Sequence, residues 1–383
     1  MTKNGAPVNN RLYLDLHIVQ TVPPANLNRD DTGSPKQAQY GGVRRARVSS
    51  QSWKRATRRA FVDQVDQARL ATRTRRLPGL LAGALTAQHP QLDAEAAQRL
   101  AAAAVNETGI GVGKKATDTA VLLFIGRQHV SRLAGLLGEQ ADELAGLDDK
   151  ALAAAVKGMP IREILFTAHP LDVALFGRMV AEVPGVNVDA AVQVAHALST
   201  HAVELEFDYF TAVDDENTRA DTGAGMIGTV EFNSATLYRY ANLGLHLLRE
   251  NLADDPAAVE EAVRAFVTCW STSMPSGHAN SFAQHTMPHA VIAVLRPDQP
   301  INLVTAYEDP VRGHGHGFAG ESVQRLAAEL QQMTTQWGLP AGQVVGCYSP
   351  DQADQDILTS AFGAPVSFPD LVEQVVQGTG QSR

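Results

Sequence analysis

Residues 11–22 read RLYLDLHIVQTV. Leu12, Leu14, Leu16 and Ile18 fall on one side of an extended chain, and Tyr13, Asp15 and His17 on the other; this two-residue period predicts a half-buried β-strand. The next stretch, VPPANLNRDDTGSPKQAQYGG (22–42), is punctuated by Pro-Pro, Asp-Asp-Thr-Gly and Ser-Pro and predicts a long loop. Loops of that length inside a compact domain are usually functional or disordered. Ser49-Ser50-Gln51 then opens a helix, with Ser50 the expected N-cap. On it Gln51, Lys54, Arg55 and Arg58 recur at i, i+3, i+4 and i+7 as one basic stripe. Trp53, Ala56, Thr57 and Ala60 form the opposite face, suited to packing on a sheet.

Charge sharpens this reading. The 383 residues carry a formal charge of −9, which by itself argues against a polyanionic partner. Yet between Asp31 and Asp63 there is no acidic residue and there are eight basic ones: Lys36, Arg44, Arg45, Arg47, Lys54, Arg55, Arg58 and Arg59. The rest of the chain holds 24 basic and 41 acidic residues, a balance of −17. Positive charge is therefore localised where a phosphate track would need it. No run approaches the roughly 20 apolar residues of a membrane span. Residues 1–10 are polar without an apolar signal core, and Cys269 and Cys347 form no CxxC unit. These features lead us to expect a cytoplasmic protein without a membrane partner.

Beyond the basic window, residues 68–168 are rich in Ala and Leu and read as a helical insertion, interrupted by GIGVGKK and a strand-like TAVLLFIG. The segment EFDYFTAVDDENTRADTGAGMIGTVEF (206–232) reads as a long hairpin with a polar, Gly-rich tip. LYRYANLGLHLLRENL (237–252) and EEAVRAFVTCWSTSM (260–274) read as helices, 288–305 and 343–348 as strands, and 320–337 as a helix. There is no internal repeat, and the fold class expected from this order is α+β.

The constellation 28–59 carries the chemistry. Gly41-Gly42 would let a backbone approach closely, arginines offer fork-shaped donors for phosphate oxygens, and Ser49 and Ser50 place free amides at a helix start. Few aromatics interleave the cations, so gripping of the sugar–phosphate backbone is better supported than base stacking. A solvated basic face is the plainer alternative; the serine cap, glycine pair and acid-free window favour binding. Other signals fail. GIGVGKKAT (109–117) misses the phosphate-loop spacing and lacks its strand-before, helix-after context. Lys114 and Lys115 remain there as a basic loop for DNA contact or a simple solvated turn. GHGHG (313–317), with His278, His285 and His289, lacks a convergent ligand set, so no metal and no cofactor is expected. Asp30-Asp31 and Asp214-Asp215 read as turn caps rather than paired catalytic acids.

The same residues carry a family resemblance. LHIVQTVPPANLNRDDTGSPKQAQYGGVRRARVSSQSWKRATRR (16–59), DVALFGRM (172–179), VAHALSTHAVELEFDYFTAVDD (194–215), GTVEFNSATLYRYANL (228–243) and HANSFAQHTMP (278–288) resemble, in order, the CasC backbone subunit of Cascade, the type I-E CRISPR interference complex of the RAMP superfamily. The resemblance implies a hand-like molecule: a modified RRM, ferredoxin-like palm (1–67 and 180–383), helical fingers (68–179) and a thumb hairpin (205–233). It also implies a non-catalytic protein that stacks head to tail in copies along one crRNA, beside other Cascade subunits, and presents the spacer to target DNA. The phosphate-gripping positions of the family fall on Arg29, Lys36, Ser49, Gln51, Lys54 and Arg58. An apolar base-displacing wedge falls on Met226 and Ile227, flanked by Gly223, Gly225 and Gly228, with Met179 opposing them; core methionine is the plainer reading of Met179. The alternative from another class is a metal-independent CRISPR endoribonuclease, since RRM-type relatives process transcripts with His, Tyr or Lys. A lesser one is target-RNA cleavage by a loop aspartate, for which Asp30 and Asp31 are the candidates.

Overall fold

A computed structural model describes residues 11–181, 183–212, 226–313, 315–340, 342–349 and 355–381. The chain forms two compact units, one of Met1–Phe61, Gln193–Gly244 and Val263–Arg383, the other of Val62–Val192 and Leu245–Ala262. Among the described residues no helix is long and apolar enough to cross a membrane.

The first unit is built on an antiparallel sheet whose strands run in the order Gln343–Tyr348, Ala290–Arg296, β1 (Tyr13–Ala25), the long strand Met226–Gly244, Ala197–Ser199, β3 (Val43–Val48) and β2 (Gln37–Tyr40). The mixture of helices with antiparallel sheet makes the fold α+β. β1 is central but not half-buried as expected, because helices cover both faces. Under the helix Ala319–Trp337, a core of Val19, Ile292, Val294, Leu326 and Leu330 takes one side. The polar alternates are buried there too. Asp15 accepts from Tyr240 Oη at 2.7 Å, Asn242 Nδ2 at 2.9 Å and the Ile301 amide at 3.0 Å. His17 Nδ1 lies 2.9 Å from Tyr238 Oη, which itself donates to Asn302 Oδ1. Burial drives the Asp15 carboxyl up to about 6, against three hydrogen bonds that pull it down, and burial pushes the His17 imidazole down to about 3. The polar side of β1 thus faces not water but a loop that it pins.

Two further expectations need correction. LYRYANL (237–243) is strand, pairing with β1 residue for residue from Tyr13↔Gly244 to Val22↔Ala235; the helix begins only at Leu245. A strand buried on both faces loses the alternation that marks it. The expected 22–42 loop is also much shorter: β1 runs on to Ala25, and Gln37–Tyr40 pairs with Val43–Val48 across Gly41-Gly42. Both glycines have positive φ, as the tight two-residue hairpin turn demands, and a Cβ at Gly41 would sit 1.6 Å from the Glu308 carbonyl. The glycine pair serves the fold's own close approach.

The second unit packs the helices Leu77–Gln88, Ala94–Glu107, Arg127–Gly138, Asp149–Val156 and Ile161–Phe166 around Leu81, Leu85, Leu100, Ala101, Ala104 and Leu133, with a two-stranded sheet of Ala71–Thr74 and Leu123–Gly126. Asp93 caps Ala94–Glu107 through the Glu95 and Ala96 amides. The unit differs from the expected 68–179 insertion by taking in Val62–Val192 and Leu245–Ala262. One reason is that Asn251 Nδ2 donates to the Ala174 and Asp189 carbonyls at 3.0 and 2.9 Å.

Candidate nucleic-acid interface

The helix α1 (Ser50–Ala60) follows β3 directly. Its N-cap is Ser49, one residue earlier than expected: Ser49 is extended at φ −67° and ψ 148°, and its hydroxyl accepts from the Ser52 amide at 3.3 Å. Ser49 is buried, so its oxygen serves the cap and not a ligand, while Ser50 begins the helix half-buried. Trp53 and Thr57 anchor the inner face. Trp53 meets Trp270 edge-on at 5.8 Å, and the buried Arg239 guanidinium lies 3.8 Å above Trp53 and 4.7 Å above Trp270, held by Gln20 Oε1 at 2.6 Å and the Trp270 carbonyl. Fixing α1 this firmly to the sheet holds its outer face rigid.

The outer face and its surroundings carry most of the expected residues. Arg29, Arg44 and Gln51 are exposed; Lys36, Arg47, Lys54 and Arg58 are half-buried. Burial lowers the Lys54 ammonium below the ordinary lysine range. Arg44 donates to Gln37 Oε1 at 3.2 Å. Arg47 donates to the Gln37 carbonyl at 3.1 Å and to His196 Nδ1 at 3.0 Å. Burial, then the charges of Arg47 and Lys36, lower the His196 imidazole, which keeps its nitrogen free to accept. Arg45 is the exception. It is completely buried, donating to the carbonyls of Ser199 at 3.0 Å, Tyr307 at 2.7 Å, Tyr40 at 3.1 Å and Glu308 at 3.3 Å. Arg45 is a strut inside the fold and cannot reach a ligand.

The 28–36 loop beside α1 is stapled from within. Asp30 Oδ1 accepts from Thr32 Oγ1 at 2.7 Å and from the amides of Thr32 and Ser34 at 2.9 and 3.0 Å, which hold its carboxyl below the usual range. Asn26 Nδ2 donates to the Gly33 and Glu231 carbonyls, and Asn28 Oδ1 accepts from the Ser49 amide at 2.8 Å. Asp30 is thus a turn organiser. Arg29 donates to His278 Nε2 at 3.1 Å.

The sequence reading missed two features. Arg55, Arg59 and His278 join Arg29 in lining an open cleft of about 830 Å³. The strand Glu206–Ala212, paired with the start of Met226–Gly244, exposes three aromatics: Phe207 at 65%, Tyr209 at 74% and Phe210 at 44%. Phe207 and Tyr209 share one face by strand alternation. The signal was present in EFDYF, because an aromatic run in a two-stranded arm has no core to enter. Ile227 pairs with Thr211 and Met226 with Ala212 in backbone register; their side chains, and Gly223 and Gly225, lie outside the described residues. Met179, in the second unit, is 84% exposed and so not a core residue; it borders a hollow with Arg73, Leu122 and Phe124. Lys114 and Lys115 are exposed on a turn closed by the Val112↔Thr119 bridge, with neither strand before nor helix after them. Among the described residues no cluster of three metal-ligating side chains occurs; His314 lies outside them.

The class is thus an α+β protein with exposed and half-buried cations gathered around a firmly anchored, capped helix. A family model described as CT1975-like protein matches residues 14–374, and the chain belongs to that family. It is similar to a chain in a solved structure described as "CRISPR RNA-guided surveillance complex, pre-nicking", at 32% identity and a TM-score of 0.78 over 96% of this chain and 100% of that one. A chain of another "CRISPR RNA-guided surveillance complex" matches at 29% identity and a TM-score of 0.68, over 96% of this chain and 99% of that one. No curated protein matches it.

Proposed function

We propose that this chain is the crRNA-binding backbone subunit of a type I-E Cascade: a non-catalytic protein that multimerises head to tail along the guide and presents its spacer for pairing with target DNA. The observation that carries the reading is the set of accessible cations Arg29, Lys36, Arg44, Arg47, Lys54 and Arg58 around the start of α1, in a chain otherwise acidic and similar over 96% of its length to chains of RNA-guided complexes. Contacts to sugar–phosphate position a guide without reading it, and base pairing supplies the specificity. The first unit serves as a modified RRM palm, with β1 in its middle. The Glu206–Ala212 arm serves as the thumb: Phe207, Tyr209 and Phe210 stack on bases, and Met226 and Ile227 stand at the wedge positions. Met179 serves as a further wedge residue, and Lys114 and Lys115 touch target DNA.

The test is to purify the chain with its companion subunits, extract the nucleic acid, and map protein–RNA crosslinks. Crosslinks to the α1 and 28–36 segments support the reading; RNA crosslinked only elsewhere refutes it. Incubating the protein with repeat RNA without metal, and with target RNA plus magnesium, addresses the nuclease alternatives. Accurate cleavage lost on a single histidine or Asp31 substitution would replace the backbone reading.

A further inference from the structure

α1 has a second polar edge. Ser52, Arg55, Ala56 and Arg59 recur at i, i+3, i+4 and i+7 and face the cleft bounded by the 28–33 segment and the 274–278 turn, so Arg55 leaves the expected stripe of Gln51, Lys54 and Arg58, and Ala56 the expected inner face. Both arginines are exposed and, among the described residues, neither forms an ion pair. Like charges one helical turn apart repel, so the pair is unfavourable unless something neutralises it. Asp30 on the far wall is committed to its turn, and Asp31 stands exposed beside it. The walls are rigid. Gly277 presses so closely on the loop backbone that a Cβ there would lie 2.3 Å from the Leu27 carbonyl and 2.5 Å from that of Asn26. Gln284 Nε2 holds the Gly277 carbonyl at 2.8 Å, and His278 braces Arg29. Lys36 and Arg47 stand at a small hollow that shares Leu27 and Asn28 with this cleft.

We propose that the cleft between α1 and the 274–278 turn is a second phosphate-binding site, in which Arg55, Arg59 and Arg29 take phosphodiester groups of the same single-stranded RNA that Lys54 and Arg58 grip on the neighbouring edge of the helix. This rests on the guide-binding reading and extends the track around α1. A closely packed cleft offering several guanidiniums suits phosphate, and its place on α1 beside the Lys54 and Arg58 edge favours a polynucleotide over a neighbouring protein's carboxylates.

The test compares the full-length chain with Arg55→Gln/Arg59→Gln and with Lys54→Ala, titrated with a fluorescent single-stranded RNA too short for two copies, across a salt series. Each lost phosphate contact should make the slope of log K against log salt shallower by about 0.7, so roughly 1.4 for the double variant, with affinity down by about tenfold or more at low salt. Unchanged far-ultraviolet dichroism and melting are expected, since both side chains are exposed. If Lys54→Ala weakens binding while the double variant keeps wild-type affinity and slope, the second site is refuted and the guide groove stands. If neither variant changes binding, the guide-binding reading itself fails and takes this proposal with it. If the double variant binds short RNA normally but no longer assembles on long RNA, the cleft takes carboxylates of a neighbouring copy, and the proposal is overturned.

Discussion

Replacing Arg45 with alanine separates the fold's own use of a basic residue from its use on a ligand. Arg45 lies within the basic run Arg44-Arg45-Ala46-Arg47, yet its guanidinium is wholly enclosed and bonds four carbonyls. Those of Ser199 and Tyr307 are in buried bonds, whereas those of Tyr40 and Glu308 are nearer the surface and can recruit water. A buried acceptor left unsatisfied costs about 1–3 kcal/mol, so Arg45→Ala should destabilise by roughly 2–6 kcal/mol. That is a large share of the roughly 5–15 kcal/mol a folded domain commands. Arg45→Lys, with one ammonium to share among carbonyls spread around a planar fork, should lie between the two. Arg44→Ala should stay within about 0.5 kcal/mol, as exposed substitutions do. The assay is denaturant unfolding followed by tryptophan fluorescence. All three tryptophans, Trp53, Trp270 and Trp337, belong to the first unit, so melting of the second unit does not contaminate the signal. RNA binding measured where each variant remains folded should be lost for Arg44→Ala and Arg47→Ala before it is lost for Arg45→Lys. An Arg45→Ala protein with an unchanged midpoint and lost RNA affinity would refute the reasoning, since the side chain would then point outward.

Four further outcomes are expected. Lys54→Ala and Arg58→Ala should weaken guide binding equally for unrelated spacers and flatten its salt dependence, and spacer-dependent losses would contradict backbone gripping. Because burial lowers the Lys54 ammonium, binding should weaken on an alkaline titration earlier than in Lys54→Arg, whose guanidinium stays charged; superimposable titrations would place Lys54 off the ligand. Tyr209→Ala, at a 74% exposed position, should fold normally while losing about 1–3 kcal/mol of RNA affinity, and Ile227→Ala should fold normally while altering the nuclease protection of bound RNA; gross unfolding of either would make it a core residue.

What the sequence revealed follows from where burial left a pattern intact. α1 was legible because its inner and outer faces differ in chemistry, and the capping serine moved by only one position, from Ser50 to Ser49. The hairpin of β2 and β3 is marked only by Gly41-Gly42 between short extended runs, a turn signal that the surrounding cations obscure because they break the apolar alternation of a strand. Once those residues are a strand, alternation separates Arg44 from Arg45, but only the carbonyls of Ser199, Tyr307 and Glu308 closing around Arg45 decide which of them is a strut. The exposed arm is half-legible: its hairpin shows in the sequence, whereas the exposure of the EFDYF aromatics emerges only once the strand lies in a two-stranded arm. Met179 reads as core from composition and proves exposed, since nothing in ALFGRM says that Gly177, at φ +76°, turns the chain out of its helix.

The hardest element to read was the sheet centre, where polar side chains occupy positions that the alternation of β1 assigns to water. Asp15 shows that this burial has a measurable signature. Its folded carboxyl lies at about 6 against 3.8 when unperturbed, so the folded state holds the proton more tightly than the unfolded chain. Stability from this group is therefore full below about pH 4 and is lost as pH rises through 6, on the order of 3 kcal/mol in all if the whole shift is expressed. Asn at this position keeps a carbonyl oxygen for Tyr240 and Asn242 but turns an amide toward the Ile301 N–H, and it has no proton to lose. Asp15→Asn should thus be destabilising at pH 4, where it forfeits the hydroxyl-bearing acid without relieving any charge. Near pH 7 the wild type carries a buried carboxylate, and the gap between the two proteins should narrow. Unfolding midpoints of both proteins between pH 4 and 7 measure that gap. A pH-independent difference would mean that water reaches Asp15, and that the polar face of β1 is the solvent face its alternation suggested.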